Sequence, residues 1–246
     1  MRRASLAGTP FAEMGSHYWN ILGDGIEVDF TKAQFQGNYP HFVEYATRTP
    51  AYVLNNENTR RRFKELSFNL AKVLEPENPL FQDPIYRAGF DAAMDSPCQK
   101  LKVGAVAVAY QLIPTFNENI VATTCNYQNP VTQDWCQPKC IRFDIPSRTE
   151  SMIGSCDHAE ELLLDAVRTK NIPPTQIDIY VVGLDLKNLP LFSSEAEFSC
   201  IRCANQMYRA DVHSVAMPVT DKGWVHVSAE EALITSKQYA LRVKEA

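Results

Sequence analysis

The sequence lacks the long apolar runs of a membrane protein. No apolar run among its 246 residues approaches the roughly 20 residues that span a bilayer. The basic start, residues 1–6, is followed by no apolar core, so the sequence does not predict a secretory signal. It also has no internal repeat and no low-complexity segment, which excludes a repeat architecture. We therefore expect an intracellular, cytoplasmic protein that does not bind a membrane.

A strong charge of one sign is also missing. The chain has 24 Lys and Arg against 29 Asp and Glu, a net charge of −5 that gives no general attraction to nucleic acid or anionic membranes. Its 45% hydrophobic and 22% charged residues are ordinary for a globular protein with one sizeable core. Seven cysteines would suggest disulfides in a secreted chain. Here their metal-like spacing favours reduced thiolates.

The composition changes near residue 80. Residues 1–80 are rich in Asn, Gly, Pro and aromatic side chains and contain one predicted helix, over about residues 57–73, which the prolines at 76 and 79 end. We predict an N-terminal extension of unknown role over residues 1–80 and a second domain over 81–246. The arginines of residues 60–62 are typical of a solvated helix face, and contact with a phosphate is the alternative.

Residues 81–246 alternate between helical and strand patterns. A helix over residues 86–94 precedes two apolar strands, 103–110 and 120–124, which we expect to form a hairpin. The later predicted elements are a helix over 159–169, a strand over 177–182, a helix opened by cysteines near 200, an apolar run over 212–217 and a helix over about 228–243. Strands alternating with helices indicate an α/β layered domain.

Two short motifs carry metal-binding side chains: His158 with Glu160, and Cys200 with Cys203. One imidazole and two thiolates suit zinc, and three protein ligands leave the fourth position open, as in catalytic zinc sites. Glu160, two residues beyond His158, is a candidate proton shuttle rather than a ligand. Both motifs are predicted to open helices, where a thiolate is stabilised. The alternative is a structural zinc site with Glu160 as a solvated helix residue.

These motifs resemble the H-x-E and C-x-x-C pair of zinc-dependent nucleobase deaminases. Over about residues 82–220 the chain is similar to the deoxycytidylate (dCMP) deaminases. Residues 96–106 resemble that family's helix-to-first-strand passage, and residues 124–127 resemble the turn after its second strand. The resemblance implies a cytidine deaminase-like three-layer α-β-α sandwich with a mixed central sheet. Ser199 stands where the family has proline, and residues 186–198 form a longer run than usual.

The resemblance also implies an activity: hydrolytic deamination of a cytosine nucleotide, dCMP to dUMP, at a cyclic amidine C–N bond. Zinc-activated water would attack C4, and Glu160 would carry its proton to N3 and then to the leaving amine. Asn126 and Ala159 would bind the substrate. The alternative for Asn126 is a turn residue that satisfies local backbone groups. The partner would be a small-molecule nucleotide, and we expect a homo-oligomer.

Some dCMP deaminases carry a second, structural zinc, and the resemblance places its ligands at Cys98, Cys136, Cys140 and Cys156. These lie before the first strand, in the long loop, and just before the His-x-Glu motif. The short spacing of Cys136 and Cys140 is one that zinc sites use. The alternative is that these thiols are small buried hydrophobic groups, which is how we interpret Cys125.

Two other functions stay open. A deaminase of the tRNA-editing type would act on flipped bases in RNA or single-stranded DNA, with residues 1–80 as a docking module. The long connection between Asn126 and His158 favours the nucleotide, because tRNA adenosine deaminases usually have a shorter one. The third function is a catalytically inactive deaminase-fold scaffold or regulatory subunit. Glu160 argues against it, since a scaffold needs the ligands but no acid or base.

Overall fold

The structure is a computed structural model that describes residues 2–5, 16–21, 27–28, 44–47, 56–109, 119–136, 140–145, 156–193, 199–220 and 222–245. The chain divides into two compact units, Met1–Glu65 and Leu66–Ala246. No helix in the described part of the chain has both the length and the apolar character of a membrane span.

The first unit contains a four-stranded antiparallel sheet. Its strands are β1 (Arg2–Ser5), β2 (Ser16–Ile21), β3 (Glu27–Val28) and β4 (Glu44–Thr47). Their order is β3-β2-β1-β4. Along the chain, the boundary between the two units falls within helix α1 (Glu57–Leu74) and not at the prolines that follow it. The division into domains at residues 80 and 81 stays a prediction.

The second unit contains the predicted alternation of helices and strands. Its further helices are α2 (Pro84–Met94), α3 (Ala159–Thr169), α4 (Ile201–Arg209) and α5 (Ala229–Glu245). Its strands are β5 (Lys102–Ala109), β6 (Ile120–Cys125), β7 (Tyr127–Gln128), β8 (Cys156–Asp157), β9 (Ile177–Leu184), β10 (Pro190–Leu191), β11 (Ser214–Val219) and β12 (Gly223–Val227). The predicted elements are confirmed; the short strands β7, β8 and β10 and the edge strand β12 were not predicted.

The central sheet is mixed. Its order is β12-β11-β9-β5-β6, and β10 pairs with the end of β9. β9 and β11 run parallel, whereas β5 pairs antiparallel with both β6 and β9. The hairpin predicted for the first two strands is therefore present. The α/β class and the mixed sheet are confirmed.

Side chains along β5 alternate between two cores because successive strand residues point to opposite faces. Ala105 and Ala107 belong to a core shared with α3, α4 and α5, whereas Val106 and Val108 face α2. On the same face of the sheet, Phe90 of α2 packs against Phe68 of α1 and other aromatic side chains, and this core also includes residues of β9. One helix layer thus covers each face, which confirms the three-layer arrangement.

Helix α2 lies unusually close to β5 at one point. A Cβ atom added to Gly104 would lie 2.1 Å from the Gly89 carbonyl oxygen and 2.7 Å from the Ala93 amide nitrogen. Only a residue without a side chain permits this approach. The contact fixes the end of α2, where Ser96 meets Asn126 across the start of β5.

Candidate metal centre

The two motifs lie together although His158 and Cys200 are 42 positions apart in the chain. His158 directly precedes α3, and Cys200 is the N-cap of α4 with Cys203 in the first turn. His158 Nδ1 lies 3.2 Å from Cys203 Sγ and 3.3 Å from Cys200 Sγ. α3 leads into β9 and α4 leads into β11. These two strands run parallel, and both helices pack against the same face of the sheet.

These three side chains fit a metal ion. Their ligand atoms all lie within 4.8 Å of one another. In a tetrahedral zinc site, bond lengths of about 2.0 and 2.3 Å place a nitrogen and a sulfur ligand about 3.6 Å apart, close to the separations found. Within the residues that the structure describes, no other three His, Cys, Asp or Glu side chains gather so tightly.

The three ligands differ in their affinity for protons. A hydrogen bond from Cys203 and the nearby His158 lower the pKa of Cys200 to about 4, against the opposing effect of burial. Burial raises the pKa of Cys203 well above its usual value, and the neighbouring Cys200 adds to the rise. Burial lowers the pKa of His158, but the bond to Cys200 and nearby negative charges outweigh it and leave the pKa raised. Of the three ligands, Cys200 therefore gives up its proton most readily.

Glu160 lies beside the three ligands and is only 5% exposed. Burial raises the pKa of its carboxyl group, and the charge of Cys200 raises it further. His158, the backbone amide of Glu160 and Ser199 act in the opposite direction. A buried carboxyl group with a raised pKa exchanges protons closer to neutral pH than an exposed one does. Glu160 is therefore not the solvated helix residue of the alternative interpretation.

A residue that sequence analysis missed joins the two motifs. Glu161 Oε1 accepts from Arg202 Nε at 2.6 Å and also from Gln206 on α4. Its other oxygen accepts from the His158 backbone amide at 3.3 Å. The signal was present, since an acidic residue three positions after a helix N-cap is typical of a capping box. The contact with Arg202 depends on tertiary structure alone.

One cavity, of about 160 Å³, opens onto this centre. Its walls combine apolar residues from β9, β10 and β11 with a few polar groups. The polar and metal-binding lining residues include Cys98, Lys100, Asn126, Cys140, Arg142, Cys156, His158, Glu160, Ser199 and Cys200. A mostly apolar cavity with a few converging polar groups is typical of a small-molecule site.

Two comparisons with known proteins give a match. A family model described as YunG protein matches residues 4–75, which run from β1 to the end of α1. No curated protein matches the chain. The 1.6 Å crystal structure of cytidine deaminase from Burkholderia pseudomallei is similar at 19% identity and a TM-score of 0.38, covering 59% of this chain and 90% of that one. A TM-score this low carries no argument about this chain.

Asn126 lines the cavity, but its side chain makes hydrogen bonds with other residues of the protein. Its Oδ1 accepts from Ser96 Oγ and from the Val103 amide, both at 2.7 Å, and its Nδ2 donates to the Leu101 carbonyl at 2.9 Å. Two of these bonds satisfy backbone groups, as in the alternative interpretation, but Leu101 and Val103 lie 25 and 23 positions away in the chain. Its role in substrate binding stays a prediction.

Ala159 also lines the cavity and is fully buried. Its carbonyl oxygen accepts from Thr124 Oγ1 at 2.7 Å, which ties the start of α3 to β6. As the first residue of α3, its amide N–H has no acceptor within the helix. That amide is the group of Ala159 that could contact a ligand.

The other predicted zinc ligands gather near the same cavity. Cys98, Cys140 and Cys156 line it. Burial raises the pKa of the Cys136 thiol, and the neighbouring Cys156, Cys140 and Cys98 raise it further, so the four lie near one another. None of the seven cysteines forms a disulfide. Among the described residues, however, no three of these four sulfur atoms meet the 4.8 Å separation of the first centre.

Proposed function

We propose that this protein is a zinc-dependent deaminase that hydrolyses a cytosine nucleotide, dCMP to dUMP. The observation that carries the proposal is that three zinc-type ligands lie together near a buried carboxyl group, and that two of these ligands and the carboxyl group line one cavity. His158, Cys200 and Cys203 supply the ligands, and Glu160 supplies the carboxyl group. A structural zinc site requires a fourth protein ligand, and it does not require a buried carboxylic acid. Neither the described ligand set nor Glu160 suits that alternative.

Zinc bound by one imidazole and two thiolates would supply Lewis acidity, which makes water a usable nucleophile near neutral pH. The net reaction adds water across the C4=N3 bond of cytosine, breaks the bond from C4 to the exocyclic amino nitrogen and releases ammonia. Each turnover moves protons from the water to the ring nitrogen N3 and to the leaving amine. Glu160 is the residue that would move them, because its burial raises its pKa toward the working range.

The cavity walls would hold the base beside Glu160. The Ala159 amide N–H, at the start of α3, is a donor for a polar edge of the base. Asn126 retains one N–H of its amide beyond the bond to Leu101, which could reach the sugar. The apolar residues Val181 and Met217 line the same space and would exclude water. These contacts favour a flat, compact ligand such as a pyrimidine.

The test is ultraviolet-monitored deamination of dCMP by zinc-loaded protein, with dCTP, deoxycytidine and cytidine alongside. We expect conversion of dCMP, and its loss in Glu160→Gln, which removes the acid while leaving the metal ligands. Glu230→Gln, on the exposed side of α5, is the matched control and should keep activity. Zinc content is measured in parallel and should not change in either variant.

Other outcomes distinguish the competing functions. Full activity in Glu160→Gln would contradict the proton-transfer role. If zinc is bound but no free nucleotide is converted, a base in RNA or single-stranded DNA becomes the better substrate. Binding of such a polymer should then weaken steeply with added salt. If neither is converted, the chain is a scaffold with a deaminase-type site.

We further propose a structural zinc held by Cys98, Cys136, Cys140 and Cys156. The clustering of their thiols around Cys136 supports it. Elemental analysis of purified protein should give about two zinc ions per chain, falling to one in Cys136→Ser. Cys125→Ser, outside the cluster, is the control and should leave the ratio unchanged. One zinc per chain in the unaltered protein would contradict the second site.

A further inference from the structure

Two cationic side chains share the cavity of the metal centre. Lys100 lies between α2 and β5, and Arg142 lies in the segment 140–145. Both line the cavity that His158 and Glu160 line. Neither was singled out from the sequence, where the arginines of residues 60–62 were the candidates for phosphate contact.

Lys100 fixes the backbone that carries Arg142. Its Nζ donates to the Arg142 carbonyl oxygen at 2.6 Å and also to the Ile145 carbonyl oxygen. The same segment forms a tight turn, in which the Phe143 amide donates to the Cys140 carbonyl at 2.9 Å. An ammonium group has three N–H donors, so one donor of Lys100 remains for a ligand. The backbone that carries Arg142 is thus held in place beside the cavity that Arg142 lines.

Lys100 and Arg142 line the same cavity, so both contribute positive charge to it. Positive charge in a cavity whose walls are partly apolar attracts an anionic ligand. The pair therefore suits an anionic ligand better than a neutral one.

We propose that Arg142, supported by Lys100, binds the phosphate of a nucleotide whose base lies at Glu160. This inference rests on the proposed function and gives the substrate its charged end. A guanidinium presents paired N–H donors that match two phosphate oxygens, whereas an ammonium acts as a point charge. Arg142 would thus select nucleotides over nucleosides, and Lys100 would hold Arg142 in position and add one donor.

The test measures binding by calorimetry to zinc-loaded protein, using dCMP, dUMP, inorganic phosphate and deoxycytidine. In Arg142→Gln the affinity for dCMP and dUMP should fall about tenfold to a hundredfold, while that for deoxycytidine stays unchanged. Arg142→Lys keeps the charge but loses the paired N–H donors, so its affinity for the nucleotides should be intermediate. Arg168→Gln makes the same change on the exposed side of α3 and should match the unaltered protein.

The outcomes separate this inference from the deaminase proposal. Weaker nucleotide binding in Arg142→Gln supports the phosphate site even if no substrate is deaminated. Equal losses for dCMP and deoxycytidine would overturn it, since they would indicate a general loss of structure. The inference would also be overturned if the unaltered protein binds dCMP no more tightly than deoxycytidine, even if it deaminates both. Thermal unfolding of each variant checks that Arg142→Gln is folded.

Discussion

The carboxylate of Glu161 and the guanidinium of Arg202 form an ion pair with Nε and Oε1 2.6 Å apart. Glu161 lies in the first turn of α3 and Arg202 in the first turn of α4. Each is a near neighbour in sequence of a candidate metal ligand. The pair therefore sets the distance between the helix that follows His158 and the helix that holds Cys200 and Cys203.

Breaking this pair should weaken zinc binding. Arg202→Met removes the charge while retaining an unbranched side chain, and leaves the buried Glu161 carboxylate with only Gln206 and the His158 backbone amide as donors. Loss of a group that orients metal ligands typically lowers metal affinity about tenfold to a hundredfold. Competition with a chromogenic chelator measures the change. Arg168→Met, an exposed position on α3, should have no effect; equal affinity in both variants would refute the positioning role.

Zinc affinity should fall as the pH falls. Between pH 5 and 6 Cys200 is already a thiolate, because its pKa is about 4. The pKa values of Cys203 and His158 are both raised, so each must lose a proton when metal binds. Release of about two protons makes affinity change about a hundredfold per pH unit. Chelator competition at several pH values measures the slope, and a pH-independent affinity would contradict this account.

Gly104→Ala should destabilise the protein. The new methyl group would lie 2.1 Å from the Gly89 carbonyl oxygen, so α2 must move away from β5. Overpacking of this kind typically costs about 1–3 kcal/mol. Gly183→Ala is the control, since its nearest neighbour would be Leu191 Cβ at 3.6 Å, an ordinary contact. Urea unfolding compares the two, and equal stability would mean that α2 adjusts freely.

Asn126→Ala should lower stability as well as any activity. Its amide bonds with Ser96, Leu101 and Val103 join the end of α2 to the start of β5. Losing buried bonds of this kind should reduce the free energy of unfolding by about 2–4 kcal/mol. Asn69→Ala, exposed on α1, is the control. A variant with unchanged unfolding and a raised KM would instead assign Asn126 to substrate contact alone.

Part of the site followed from local patterns. The helix at residue 159 and the strand at 177 were predicted because apolar periodicity and the helix-capping position of the ligands are local properties. Arg142 was missed because residues 126–157 have no periodicity, and Lys100 was missed because a single lysine before a strand indicates no function by itself. Only the fold brings the two side chains to one cavity. The predicted role of Asn126 in substrate binding stays a prediction, and its hydrogen bonds with the backbone emerged only from the fold.

The sequence by itself determined the identity of the candidate ligands, the type of the helices and of strands β5, β6, β9 and β11, and the alternation that makes an α/β sheet. These depend on side-chain chemistry and on periods of two or 3.6 residues, which act over short stretches of chain. Tertiary structure decided the 3.2 Å approach of His158 to Cys203, the pairing of Glu161 with Arg202 and the sharing of one cavity by Arg142 and Glu160. Such contacts join residues far apart in the chain, so packing of the sheet and helices alone can set them.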